Sequence, residues 1–287
     1  MGALQNKIDF KAIITVTNAN PNGDPLNNNM PRTTIDGFGE ISDVCLKRKI
    51  RNRLMDMGEN VFVQSDDKNN DGHSSLRERA DSNQVLKDEL KKGKNASRDV
   101  YSEIACEEWM DVRSFGQVFA FKGSDLSVGV RGPVSIHPAF SVDTVEVSSI
   151  QITKSVNSES GASGKASDTM GMKHRVDFGV YILKGSINVQ LAEKTNFSQQ
   201  DAEKIKESIK TLFINDTSAA RPDGSMNIHK LYWWSHNNKI GQYSTKKVHD
   251  SVSITKRFGV SAPKSIDDYE ITEGPLEGLK LDIYEGV

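Results

Sequence analysis

Cysteine is scarce in this chain of 287 residues: only Cys45 and Cys106 occur, without metal-ligand spacing. Aromatic residues make up 7% and no apolar run is long enough to cross a bilayer. The chain starts with a short polar run that is not a signal peptide, so a reducing cytoplasm is the natural reading and the sequons at Asn95 and Asn215 carry no meaning. The six histidines (His73, His137, His174, His229, His236 and His249) show no ligand-like pairing. Nucleophile-elbow, zincin and Walker sequences are all missing. Net charge is also lacking: the formal value is −2 and the pI about 6.3, which excludes a general polyanion glue. Hydrophobic residues at 36% and charged residues at 26% give a globular profile.

Positive charge is instead concentrated. The loop Asn18-Ala19-Asn20-Pro21-Asn22-Gly23-Asp24-Pro25 precedes the segment 39–54. That segment carries Lys47, Arg48, Lys49, Arg51 and Arg53, five basic residues in seven positions. Cations at the start of a helix, beside a loop rich in backbone donors, suit a phosphate backbone. Balancing acid lies near the C-terminus, where Asp267, Asp268, Glu270, Glu273, Glu277, Asp282 and Glu285 face only Lys280.

Residues 8–17 alternate as a strand, with Ile8, Phe10, Ala12 and Ile14 on one face. Leu46, Ile50, Leu54 and Met57 form one stripe of a helix starting at Ser42 as N-cap and ending at Gly58. Lys47 and Arg51 lie beside that stripe. Residues 61–63 read as a short strand. Residues 64–97 are polar and read as an inserted excursion with a helix over 74–91; a second amphipathic segment runs over 100–112. Strands follow over 141–154 and 175–191, joined by a Ser/Gly/Ala-rich loop over 155–171 that reads as mobile. A helix spans 196–214, capped by Ser198 or Asn196, and an aromatic strand spans 228–235. The order is βαβ followed by βαβ with large insertions, an α+β fold of ferredoxin-like, RRM-type topology. There is no internal repeat and no sign of a second hydrophobic core, so residues 1–287 count as a single elaborated domain.

Two further patterns bear on function. Asp67-Lys68-Asn69-Asn70-Asp71-Gly72 followed by Glu78 matches a calcium loop, but position eight is Ser74 and a strand-like segment stands where an entering helix belongs. Disorder is the preferred reading there. Asp24, Asp36 and Glu40 could hold Mg²⁺ for a ribonuclease, although lone acids in turn-rich loops more often make Asx turns or caps. The first strand lacks RRM aromatics, so backbone tracking of RNA fits better than base stacking. Met170 and Met172 flank a glycine at the end of the loop, where an apolar tip can wedge between bases.

These residues also resemble a known family. The 18–25 and 39–51 segments, with Asp111-Val112-Arg113-Ser114-Phe115-Gly116 and Val130-Arg131-Gly132-Pro133-Val134, look like the type I-C CRISPR-associated backbone subunit. This is the Csd-subtype member of the "seven" family in Cascade surveillance complexes, and the likeness covers nearly the whole chain. The resemblance implies an RRM-type palm, a helical finger insertion (64–97) and a long β-hairpin thumb with its tip at 154–175. It implies a subunit that stacks along a CRISPR guide RNA (crRNA), kinks it at intervals and presents it to target DNA. Implied partners are copies of itself, a guide-processing subunit and a large PAM-reading subunit. No cofactor, metal or membrane is implied, and cleavage belongs to another protein; backbone subunits of related type III complexes do cleave RNA, which keeps the ribonuclease as the rival. Carried over by position, the palm contacts are Asn18, Asn20, Ser42, Lys47, Arg48, Arg51 and, more weakly, Arg131. The thumb supplies Met170, Met172, Lys173 and Arg175. Met30 departs from the basic residue usual in the family.

Overall fold

The computed structural model describes residues 2–121, 126–153 and 170–287. In chain order its first elements are β1 (Ile8–Ala19), β2 (Gly23–Asp24), β3 (Met30–Pro31), β4 (Phe38–Ile41) and α1 (Asp43–Asp56). A helical stretch follows: α2 (Leu76–Ser82), α3 (Gln84–Lys91), α4 (Arg98–Glu108) and α5 (Met110–Phe115). Then come β5 (Gly116–Phe119), β6 (Val128–Arg131), β7 (Val134–Ile136), β8 (Ala139–Thr144), β9 (Val147–Thr153) and β10 (Met170–Ile187). The remainder is α6 (Val189–Thr195), α7 (Gln199–Lys210), β11 (Met226–Ser235), α8 (Thr245–Asp250), β12 (Val252–Lys256), β13 (Tyr269–Glu273) and β14 (Lys280–Glu285).

The frame is a mixed α/β arrangement on one large antiparallel sheet, ordered β14-β11-β1-β10-β8-β4, with β7 and β9 also pairing β10. β1 sits in its middle. Ile8, Phe10, Ala12, Ile14 and Val16 point into a core shared with Leu46, Ile50 and Leu54 of α1 and with Ile205 and Ile209 of α7. The other face is buried too: Ile13 joins Val180, Tyr232, Trp234, Val248, Val252 and Tyr269 under α8 and the β12–β13 ribbon. A central strand covered on both sides hides its polar residues as well as its apolar ones. Asp9 accepts from His236 Nε2 (2.9 Å), Lys7 Nζ (3.0 Å) and Thr245 Oγ1 (3.0 Å). Lys11 Nζ donates to the carbonyls of His249 (2.9 Å) and Val252.

A separate apolar cluster contradicts the expectation of a single core. Phe62, Ala80, Leu86, Tyr101, Trp109 and Phe119 pack together, with Phe62 ring centroids 4.6 Å from Trp109 and 5.0 Å from Phe119. The 64–97 segment is folded onto it. Its expected single helix is α2 and α3, divided at Asn83, whose side chain accepts from the amides of Val85 and Leu86. The 100–112 segment is likewise divided at Trp109 between α4 and α5. Residues 61–63 are not a strand. The amides of Phe62 and Val63 donate to Asp111 Oδ1 (2.7 Å) and Oδ2 (3.1 Å), which takes the place of a ladder partner.

Other boundaries shift for local reasons. The strand expected over 141–154 is β8 and β9, interrupted where Val145 N donates to Gly37 O (3.0 Å). β10 begins at Met170, so Met170 and Gly171 belong to a strand rather than a loop; the rest of the expected mobile loop, 155–169, lies outside the described residues. Beyond Ile187 the chain turns into α6, and Asn196 ends that helix at φ +56°. The helix expected from 196 is α7, capped by Ser198 in a capping box with Asp201.

Two stability outcomes follow. Arg51 Nε also donates to Asp111 Oδ2 (2.8 Å), and these side chains are 13% and 1% exposed. Asp111→Ala strands that guanidinium and two amides, and should cost about 3–5 kcal/mol in denaturant unfolding. An unchanged midpoint would show that the carboxylate does not join the two cores. Burial lowers the Lys11 ammonium from 10.5 to about 8. The unfolded chain therefore binds more protons across that window, and stability should rise from about pH 8 toward 10.5. Melting curves of Lys11→Met against the parent should lose this rise; an identical pH profile would refute it.

Candidate nucleic-acid interface

The loop after β1 is built to adopt left-handed backbone. Asn18, Asn28 and Asn29 have φ of +53°, +49° and +58°, values that asparagine tolerates better than most residues. At Gly23 the exposed side-chain amide of Asn29 folds over the backbone, so that a Cβ there would lie 1.9 Å from Asn29 Oδ1 unless that side chain swung away. Asn20 is buried and donates through Nδ2 to Asn29 O (2.7 Å), so it braces the loop from inside. Asn22 fastens the loop to α1, its Oδ1 accepting from both Ser42 N (2.9 Å) and Ser42 Oγ (2.8 Å). Ser42 in turn caps the helix by accepting from Cys45 N (3.3 Å). The loop is thereby held at the amino end of α1, where free amides favour anions. Asn18 is exposed near the end of β1 and lines a different cavity, with Asp143, Asp177 and Lys256.

The basic residues of α1 divide by partner. Arg51 stacks over Phe115 at 5.1 Å besides its bond to Asp111. Lys49 is 4% exposed and paired with Asp216, which also accepts from Arg221 Nε (3.1 Å). Arg53 Nε donates to Thr211 Oγ1 (2.7 Å) and Arg48 Nη1 to Val63 O (2.6 Å). Lys47 is different: it pairs only within the helix, with Asp43 at 3.0 Å, at 26% exposure. Lys47 and Arg51, both placed beside the apolar stripe by the sequence, thus differ in their partners: Arg51 is engaged at the junction between the two cores.

The remaining expected residues lie on other elements. Arg131 is exposed at the end of the β5–β6 ribbon, which packs on α4, α5 and α6. In the β9–β10 hairpin, Met170 pairs Thr153 and Met172 pairs Gln151, whereas Lys173 pairs Ile150 and Arg175 pairs Ser148. Directly paired residues share a face, so Met170 and Met172 lie on one face while Lys173 and Arg175 lie on the other. Both methionines are half exposed, as are Ile150 and Ile152. Ile150 pairs Lys173 and Ile152 pairs Gly171, so both isoleucines share the cationic face; the hairpin offers a methionine face flanked by Thr153 and Gln151, and a face that mixes cations with isoleucine.

Several alternatives meet occupied side chains. Asp24 Oδ1 accepts from Leu26 N (3.2 Å) and lies 3.4 Å from Arg32 Nη2, as an Asx turn does. In the 67–78 loop, Asp71 takes a two-point contact from Arg79 (2.6 and 2.9 Å) and Glu78 accepts from Ser74 N (2.7 Å) and Oγ (2.8 Å). Among the described residues no group of three or more His, Cys, Asp or Glu side chains could hold a metal ion. The aromatic Tyr232 and Trp234 are buried beneath the C-terminal ribbon, which removes the sheet-face stacking platform used by RRM domains. Sequence reasoning passed over Lys68 and Arg221. Arg221 stands before a Pro-Asp-Gly turn that was the available signal; Lys68 sat inside the calcium-loop match.

A family model and a curated relative carry the same description. A family model described as CRISPR-associated protein Cas7 matches residues 6–273. A relative from Haloferax volcanii, also described as CRISPR-associated protein Cas7, is 28% identical over 220 residues. That alignment takes in 70% of this chain and 62% of the relative, so the chain spans less than two thirds of the relative's length. A chain of a solved "CRISPR RNA-guided surveillance complex, pre-nicking" aligns at TM-score 0.49 and 15% identity, over 79% of this chain and 78% of its own. A chain of another CRISPR RNA-guided surveillance complex aligns at TM-score 0.41 and 17% identity, over 79% and 68%. With a family model running from residue 6 to 273, this chain belongs to the Cas7 family of CRISPR-associated proteins.

Proposed function

We propose that this chain is a guide-RNA-binding backbone subunit of a type I-C surveillance complex. It oligomerises along the crRNA and presents it for pairing with target DNA. The observation that carries this reading is the loop pinned to the amino end of α1 in a Cas7-family chain: Asn22 holds Ser42, and Lys47 stands one turn into the helix, paired only with Asp43. Phosphate contacts of this kind position a strand without reading its sequence.

The order β11-β1-β10-β8, with α1 and α7 packed together on one face, supports an RRM-type palm. The α2–α3 region on its own apolar cluster supports the finger, and the β9–β10 hairpin the thumb. We assign the subtype on the four sequence segments that resemble the Csd form. Further copies of the chain, a guide-processing subunit and a PAM-reading subunit are its proposed partners, and the cytoplasm its compartment; no helix among the described residues is long and apolar enough to cross a membrane. The chain acts as a scaffold and not as a nuclease. Asp24 supports that role, because its carboxylate is committed to its own turn.

The palm is tested by titrating a single-stranded RNA at several salt concentrations. Lys47→Glu should weaken binding and lower the log–log salt slope by about one or slightly more, with melting unchanged. Arg51→Glu should instead lower the melting temperature. Affinity and slope unchanged in Lys47→Glu would sink the palm assignment.

For the hairpin, the two faces should separate by readout. Lys173→Gln with Arg175→Gln should flatten the salt dependence by about two units. Met170→Gln with Met172→Gln should leave the slope alone and blur the periodic nuclease footprint on RNA in the assembly. Equal effects of the two pairs on both readouts would contradict a two-faced thumb.

A further inference from the structure

A cavity of about 320 Å³ opens between α1, the 65–68 turn and the 215–221 loop. Three separate stretches of chain deliver cations to its wall: Arg48 and Lys49 from α1, Lys68 from the turn, and Arg221 from the loop. Their partners do not balance them. Lys49 and Arg221 share the single carboxylate of Asp216. Arg48 is bonded to a neutral carbonyl, that of Val63. Lys68 Nζ donates to Asn215 O (2.9 Å) and stands 3.9 Å from Asp56. Asp67 is the only other carboxylate on the wall, so with Asp56 behind Lys68 four cations meet three acids there.

Lys49 sharpens the point. It is 96% buried by exposure (4% relative), so its charge is held out of water beside a carboxylate that a second cation also claims. Burial pushes its ammonium below the usual lysine value. An incoming anion would relieve both cations. Asn52 adds a second, different feature. Its Oδ1 is buried without any hydrogen bond, and the residue lines the same cavity. An amide can present both a donor and an acceptor to the edge of a base. Pro21 and Cys45, the latter on α1 one turn before Lys49, add apolar surface to the lining. The volume falls at the small end of ligand sites, which run from about 300 Å³ upward.

We infer that this cavity takes one nucleotide unit of the bound RNA, with its phosphate against Lys49, Arg221 and Lys68 and its base edge on the Asn52 amide. The inference rests on the RNA-binding reading and makes it specific. The strand does more than cross the start of α1: one unit leaves the stack and is held between palm and finger. Because Ser65, Asp67 and Lys68 form one wall and α1 the other, that nucleotide would also tie the two cores together.

The test compares a short single-stranded RNA with a ribose-phosphate oligomer of the same length lacking bases, both bound to the purified full chain. Lys68→Gln with Arg221→Gln should weaken both polymers and lower the salt slope by about two. Asn52→Ala should weaken the RNA about tenfold and leave the base-free polymer unchanged, as expected for loss of one buried hydrogen-bonding group. Lys68→Gln alone sits on an exposed turn and keeps the test open if Arg221 proves necessary for folding; melting curves identify that case, and the expected slope change is then about one. If Lys47→Glu weakens RNA binding while none of the cavity variants does, the cavity inference fails and the RNA reading stands. If the cationic variants act but Asn52→Ala does not, the cavity holds a phosphate only and the nucleotide is excluded. A parent chain that binds neither polymer overturns both readings.

Discussion

Both oxygens of the Asp111 carboxylate are occupied, by the amides of Phe62 and Val63 and by the Arg51 guanidinium. This buried knot joins three pieces of chain: α5, which carries the acid; α1, which carries the base; and the bend that leads into the 64–97 excursion. Each partner is costly to leave alone, since a buried guanidinium or amide without a partner loses its hydration for nothing in return. The separate apolar clusters on either side are consequently held at one spacing. Arg48, reaching Val63 O one turn earlier on α1, adds a second tie across the same seam. The cavity beside α1 exists because this seam is closed: one wall is helix, the other the turn that follows the bend.

The same knot explains why a dense basic run yields so little free positive charge. Sequence shows the run but not its partners, which are distant. Asp111 lies 60 positions from Arg51, Asp216 lies 167 from Lys49, and Thr211 lies 158 from Arg53. Folding brings an acceptor to each, and only Lys47 keeps a partner no farther than its own helix. With a formal charge of −2 over the chain, binding to a polyanion must then rest on a few placed cations and on backbone amides. Asn22 and Ser42 fix the loop against the helix start and themselves take the amides of Ser42 and Cys45.

Local signals in the sequence were reliable where local physics decides. The α1 cap at Ser42 and its Leu46/Ile50/Leu54 stripe follow from neighbours within a turn or two and stand as read; of the two caps offered for the helix over 196–214, Ser198 is the one used and Asn196 ends the helix before it. The Val61-Phe62-Val63 run has strand composition, but its amides are claimed by an acid 48 or 49 residues away, so no strand forms. The 64–97 segment looks coreless because Ala80 and Leu86 are sparse; their partners Tyr101, Trp109 and Phe119 come from later in the chain. Placing Met170 and Met172 beside Lys173 and Arg175 was natural from sequence, yet a strand's two-residue period separates them onto opposite faces. The cavity residues Lys68 and Arg221 meet only through the tertiary fold and had no pattern to announce them as a pair.

A chain that coats a guide chiefly through its backbone covers and protects the strand unit by unit, while a separate guide-processing subunit sets where that strand ends. The most direct measurement is the RNA recovered with the purified protein when it is expressed together with a CRISPR array and the guide-processing subunit. The account predicts RNA of uniform length derived from the array, and its loss on Lys47→Glu while the protein remains folded. Recovery of no RNA, or of heterogeneous cellular RNA that Lys47→Glu leaves unchanged, would contradict it.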